Sequence, residues 1–176
     1  LSLNGSDDEI NYLQNKCLLD KKDIAVIVGT QKYKALIDAY YVFEFLKKKN
    51  NFLKLIIVGD QKSIPKQLIK NDSVILKDVI QQRDVIELLK KAKYYISTTK
   101  IENSFNAASE GVIFANESYI SNIRPHRELL RNESYDLVPI HNLYDKVIKV
   151  KGKNIEGKNL MLWRDVIKEM ITRTRS

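Results

Sequence analysis

The chain has 176 residues, 44% of them hydrophobic and 30% charged, with a formal net charge of +8. That length suffices for one domain with a proper core, and that composition belongs to a soluble globular protein rather than a disordered or fibrous one. No apolar run approaches the roughly 20 residues of a membrane helix, and the single cysteine, Cys17, excludes an internal disulfide and a cysteine-rich metal cluster.

Residues 1–22 are polar and irregular apart from Ile10, Leu13, Leu18 and Leu19, and are expected to form a linker and entry segment. Leu1 to Glu9 has neither the basic start nor the apolar block of a signal peptide, so a reducing cytoplasm is the expected compartment. With Leu1 where an initiator Met would stand, a fragment of a longer protein is expected.

The first clear element is Ile24-Ala25-Val26-Ile27-Val28, continuously apolar and β-branched, which predicts a strand covered on both faces. It ends at Gly29-Thr30. A helix follows, with Leu36, Ala39, Tyr40, Phe43 and Leu46 at helical spacing and lysines at its negative end. Leu53 to Val58 is a second buried strand that stops at Gly59-Asp60. A short helix holds Leu68 and Ile69, with Pro65 tolerated in its first turn. Val74-Ile75-Leu76 is the third strand, and Asp84 or a neighbour opens a helix carrying Val85, Ile86, Leu88, Leu89 and Ala92. Tyr94-Tyr95-Ile96-Ser97 is the fourth strand, followed by a helix over Ala107–Ala115, a short strand at Tyr119-Ile120, a small helix from Pro125, and Leu137-Val138-Pro139-Ile140. Val147 to Val150 predicts one more strand, Lys151 to Asn159 an exposed loop, and Leu160, Trp163, Val166, Ile167 and Met170 a closing helix packed on the same domain over 160–176.

Strands alternating with helices, through connections too long for hairpins, predict a parallel sheet with helices on both faces. The expected fold is an α/β, Rossmann-like three-layer domain over residues 23–159. Ligands of such sheets bind beyond the carboxyl ends of the strands, where Gly29-Thr30, Gly59-Asp60, Asp78 to Gln82 and the turn after the fourth strand should lie together.

That last turn, Thr98 to Gly111, is the most informative stretch. It runs from a strand into a helix starting near Asn106, so several backbone N–H groups and the positive helix end should face the crevice, an arrangement that favours a phosphate or diphosphate. Glu102 and Glu110 stand at its two ends with seven residues between them. Two carboxylate oxygens can accept from a vicinal diol, which suits a ligand carrying sugars as well as a diphosphate.

Glu102 to Glu110, with the strand before it and Tyr119 to Glu128 after it (ending Pro125-His126-Arg127-Glu128), resembles the C-terminal domain of the retaining glycosyltransferases of family 4, which have the GT-B fold. The resemblance runs from about Asp23 to the last helix. It implies a nucleotide-diphosphate sugar as donor, with Glu110 on the ribose hydroxyls and Glu102 at the donor sugar, near the scissile bond. Gly29 and Thr30 would form the phosphate-gripping turn. The family places an arginine where Thr30 stands, so the positive charge would come from Lys34, slightly favoured, or Lys32, since a lysine is a competent phosphate partner without an arginine's fork. Ser104, Phe105 and Asn106 replace the family's usual glycine- and proline-rich residues; their amides can still face the diphosphate, and Phe105 would shape the sugar pocket. Val79 and Ile80 are the candidates for packing against the base. His126 is expected to be structural, bracing the Glu-bearing loop from behind, and His141 has no assigned role.

Metal-ligand spacing and an Asp-x-Asp motif are absent, so no metal is expected, and no cofactor beyond the nucleotide-sugar substrate. No G-x-G-x-x-G supports a nicotinamide dinucleotide. The expected function is therefore donor binding in a retaining glycosyltransferase of bacterial surface polysaccharide or lipopolysaccharide synthesis, with a sugar or lipid-linked acceptor held by a further N-terminal domain. The lysine-rich surface suits either simple solvation or peripheral contact with an anionic membrane at its inner face. No basic helix with interleaved aromatics points to nucleic acid. Two alternatives stand beside this reading: a non-enzymatic basic module for nucleic acid or anionic surfaces, and a receiver-like signalling domain. The latter wants acids directly after the first strand, where Gly29-Thr30 stands.

Overall fold

The computed structural model describes residues 23–102 and 106–152. The apolar run at the start becomes strand β1 (Ile24–Val28), and because successive side chains in a strand point to opposite faces, it feeds two cores at once. Ile24 and Val26 join one, Ala25 and Ile27 the other. The first core is closed by helices α3 (Gln82–Lys91) and α4 (Asn106–Phe114), through Val85, Leu88, Leu89, Ala108 and Val112. The second is closed by α1 (Leu36–Lys47) and α2 (Lys66–Ile69), through Ala39, Phe43, Leu46 and Leu68.

Around β1 lie β2 (Lys54–Val58), β3 (Val74–Lys77), β4 (Tyr94–Ser97) and β5 (Glu117–Ser121). After helix α5 (Arg124–Leu129) come β6 (Asp136–Val138) and β7 (Val147–Lys151). The seven strands form one sheet in the order β3-β2-β1-β4-β5-β7-β6. β1 to β5 are mutually parallel, with Val26 opposite Ile56 on one side and Tyr95 on the other. The described residues thus make a Rossmann-like α/β domain of three layers.

The expectation of a parallel sheet needs one correction. β7 runs antiparallel to both β5 and β6. The reason is local: residues 139–146 contain no helix, and the chain reverses through Asn142, whose φ is 71°, so β7 returns as a hairpin strand between β5 and β6. β7 also takes in Lys151, which the sequence places in a loop. The entry segment, Ser104, Phe105, residues 153–159 of the expected loop and the closing helix with Trp163 lie outside the described residues.

Two backbone approaches need glycine. A Cβ on Gly111 would stand 2.1 Å from the Tyr95 ring, so α4 sits directly on that tyrosine. Gly29 has φ 92°, where L side chains are strained, and lets β1 end in a sharp turn.

Candidate functional site

In this strand order the chain leaves β1 toward β2 and β3 on one side, then crosses to β4 and β5 on the other. The loops after β1 and β4 therefore diverge, and the crevice between them is where α/β sheets bind ligands.

The β1 loop passes from Gly29 into a single turn of tight helix, Lys32–Lys34, and then into Ala35, which has φ 48° and ψ 55°. A left-handed alanine costs about 1 kcal/mol or more, and the β4 loop supplies what holds it. Thr98 Oγ1 donates to the Ala35 carbonyl at 2.9 Å, and the Lys100 amide donates to the Tyr33 carbonyl at 2.8 Å. The turn thus carries Lys34 inward across Gly29, with its Cε 3.3 Å from where a glycine Cβ would begin. Its Nζ lies 3.4 Å from Glu102 Oε2, and both side chains are about nine-tenths buried, at 10% and 8% exposure. Two residues 68 positions apart, each a candidate from sequence, meet as an ion pair beside Gly29; neither they nor Glu110 line the hollow that holds Val79 and Ile80.

The β4 loop is braced from behind. Thr98 and Thr99 are buried, and Ser121 Oγ donates to the Thr99 carbonyl at 2.7 Å. His126 is fully buried on α5, and its Nδ1 lies 2.9 Å from the Ser121 carbonyl and 3.2 Å from Ser121 Oγ. A carbonyl only accepts, so Nδ1 carries the proton and Nε2 presents a lone pair. Burial pushes the imidazole pKa below its ordinary value; the Ser121 carbonyl and the Glu102 charge pull it back up, while Lys34 pushes it down. The ring is therefore neutral at pH 7, and it holds position rather than charge.

Glu110 sits half-buried on α4, and its Oε1 accepts from Gln82 Nε2 at 2.5 Å. Tyr95, on β4, is fully buried and lies within the field of both glutamates. Burial, first, and those two charges raise its pKa far beyond the usual tyrosine range, so it stays a neutral hydroxyl; it lies beside Ser97 but completes no hydrogen bond of good geometry.

Gly29, Thr30, Val79 and Ile80 line one hollow of about 330 Å³ at the ends of β1, β2 and β3. Thr30, in the position of the family's arginine, turns its hydroxyl to the Asp60 carbonyl at 2.9 Å and its methyl toward Gly59. It ties two loops together and contributes backbone, not charge. Val79 stands 77% exposed on the rim, while Ile80 packs into the core. Lys32 is exposed and lines a different hollow, of about 600 Å³, on the other side of the turn with Lys100 and Asp38. The structure therefore separates the two lysines that the sequence left as alternatives: Lys34 reaches Glu102, and Lys32 does not share that pairing. Asn106 is the exposed first residue of α4. Among the described residues no group of three or more metal-ligating side chains is gathered.

No protein-family model matches this chain, and no curated protein does. Among solved structures, the N-terminal domain of trehalose-6-phosphate phosphatase from Candida albicans is similar. The match has a TM-score of 0.55 at 15% identity, over 75% of this chain and 34% of that one. It shows the α/β fold, and this chain spans about a third of that neighbour's length.

Sequence reasoning passed over Tyr95, Thr98, Thr99 and Ser121 as site components. A signal for the threonines was present: two β-branched polar residues directly after a buried strand are well placed to bond neighbouring backbone. Tyr95 carried no such mark, since an aromatic within an apolar strand reads as core.

Proposed function

We propose that this chain is the donor-binding half of a retaining glycosyltransferase with the GT-B fold, acting on a nucleotide-diphosphate sugar in bacterial surface polysaccharide or lipopolysaccharide synthesis. The observation that carries the proposal is the buried Lys34–Glu102 pair at the switch point, 3.4 Å apart, which joins the glutamate of the family-like motif to one of the two lysines that could stand in for the family's arginine. In this reading Lys34 meets the departing diphosphate, exchanging part of its contact with Glu102 for phosphate oxygens. The amides opening α4 share the load. The helix dipole is already aimed at the site and costs no reorganisation as charge builds on the leaving group and positive character develops at the sugar carbon, whereas Lys34 gives up part of its pairing to contribute. Glu102 lies at the sugar, Glu110 takes the ribose hydroxyls in place of the Gln82 amide, and the base enters the hollow beside Val79 and Ile80. His126, through Ser121 and Thr99, keeps the Glu102 loop in register.

Thermal unfolding of the 176-residue chain with UDP, GDP and ADP tests this. A nucleotide at 100 times its Kd adds about 2.7 kcal/mol, so at least one should raise Tm. The rise should vanish in Glu110→Ala and Lys34→Met, each compared with its own ligand-free midpoint. If no nucleoside diphosphate moves the wild-type midpoint, the proposal is wrong. The acceptor belongs to a further domain in this reading, so glycosyl transfer by the chain alone should be slight.

A further inference from the structure

At the opposite edge of the sheet, where the parallel strands begin, a phenylalanine is held out into water. Phe52 is 78% exposed, although its neighbour Leu53 is fully buried. The turn that presents it is tied at several points. The Phe52 amide donates to Asn50 Oδ1 at 3.0 Å, the Leu53 amide donates to the Asn50 carbonyl at 3.1 Å, and the Asn50 side-chain amide bonds the Asp23 carboxylate at the foot of β1. A ring presented by a locked turn loses little conformational freedom when a partner takes it up.

Lysines surround it. Helix carboxyl ends gather at this edge, and with them come Lys48 and Lys49 after α1, Lys70 after α2 and Lys91 at the end of α3, joined by Lys54 and Lys93 at the starts of β2 and β4. Backbone bonds from Lys54 to Asp23 and from Lys93 to Ile24 knit these segments into one surface. Of the acids nearby, Asp23 is occupied by Asn50, Glu117 lies 3.4 Å from Lys149 and Glu87 lies 2.7 Å from Lys90. The exposed Asp72, whose carbonyl accepts from Lys54 Nζ at 3.0 Å, offsets one lysine charge. The local charge is thus strongly positive around one apolar ring.

We propose that this edge is a docking surface for an anionic lipid bilayer, with Phe52 entering the headgroup layer and the lysines lying over the phosphates. Each lysine near such a surface contributes about 1 kcal/mol, and an amphipathic contact of this kind strengthens with both buried apolar area and lipid charge. The five-residue strands place the edge roughly 17 Å from the Lys34–Glu102 crevice, so docking leaves that crevice open. A nucleic-acid duplex would answer the charge but shows no free base face to a phenylalanine. A single strand would stack on it, and competition with an oligonucleotide separates that case from the bilayer. The inference does not depend on the enzymatic reading above.

Co-sedimentation of the 176-residue chain with vesicles tests it. The expected result is binding to phosphatidylcholine mixed with phosphatidylglycerol, none to phosphatidylcholine alone, and release as salt rises. Phe52→Ala should weaken binding about tenfold, and Lys48→Glu with Lys49→Glu at least about tenfold, with Tm unchanged in both. Lys62→Glu with Lys66→Glu, on the other edge, should bind as wild type. No binding, equal binding to neutral vesicles, indifference to the Phe52 and Lys48/Lys49 changes, or an equal loss in the Lys62/Lys66 variant would overturn the proposal. So would tighter binding to a DNA duplex or to a single-stranded oligonucleotide than to the anionic vesicles.

Discussion

Two turns stand side by side at the carboxyl edge of the sheet and are built on one plan. After β1 the chain passes through Gly29 at positive φ into a single tight helical turn, Lys32–Lys34; after β2 it passes through Gly59 at positive φ into another, Gln61–Ser63. The first buries Lys34, and the second buries nothing. Asp60 merely caps its own turn, its Oδ1 accepting from the Lys62 amide at 3.0 Å. The local sequence does not explain the difference; the neighbour does. The β1 turn lies against the β4 loop, which contributes Thr98, the Lys100 amide and Glu102, whereas the β2 turn is bordered by the end of β3 and the exposed Asp78, which accepts from Gln61 Nε2 at 3.1 Å. Among the described residues, the candidate site lies where strand order reverses, and there two well-anchored loops converge on one lysine.

The largest effect on this contrast should come from lifting the element beneath the β4 loop. Gly111→Ala puts a methyl 2.1 Å from the Tyr95 ring, and overpacking of that severity should cost about 3 kcal/mol in urea unfolding. A loss below about 0.5 kcal/mol would show that α4 does not rest on Tyr95 as described.

Next come the two turns themselves. Glu102→Gln strands the Lys34 ammonium in a nearly closed site and should cost about 2 kcal/mol, less than a fully buried pair because the contact is long. Asp60→Asn, in the solvated turn, should cost no more than about 0.5 kcal/mol. Combining Glu102→Gln with Lys34→Met should recover much of the first loss. Equal costs at Glu102 and Asp60 would erase the distinction between the turns.

The smallest effect is a pH dependence. Burial lowers the His126 pKa in the folded state, so the unfolded chain binds the proton more readily. The stability that this group contributes is complete above the unfolded value of about 6.5 and is lost as pH falls through the folded one, no faster than about 1.4 kcal/mol per unit. His126→Gln should flatten that slope relative to wild type. An unchanged slope below pH 6.5 would assign the dependence to other groups.

Most of the parallel half was legible because its signals are local. Ile24 to Val28 is apolar at every position and Leu53 to Val58 at every position but Lys54, and only a strand covered on both faces needs that. The reversal at β7 was not legible, since hairpin direction depends on whether residues 139–146 form a helix, and Val147-Ile148 looks alike in either polarity. Within the site, a motif pointed to Glu102, and the turn after β1 offered Lys34 or Lys32 as its charge. The pairing of Lys34 with Glu102 depends on Ala35 adopting a left-handed backbone, which nothing in an alanine announces. Choosing between Lys32 and Lys34 likewise depended on the handedness of one turn.

The outermost strands carry a consequence of their own. β6 has three residues and begins with Asp136, and β3 has four and ends with Lys77. A sheet invites another chain wherever a long row of unsatisfied amides and carbonyls is left open, and here each margin is brief and closes on a charge. Such margins give a foreign β-segment little to zip onto, so concentrated solutions of the native protein should resist fibril-like association even though the interior strands β1 and β2 are almost wholly aliphatic.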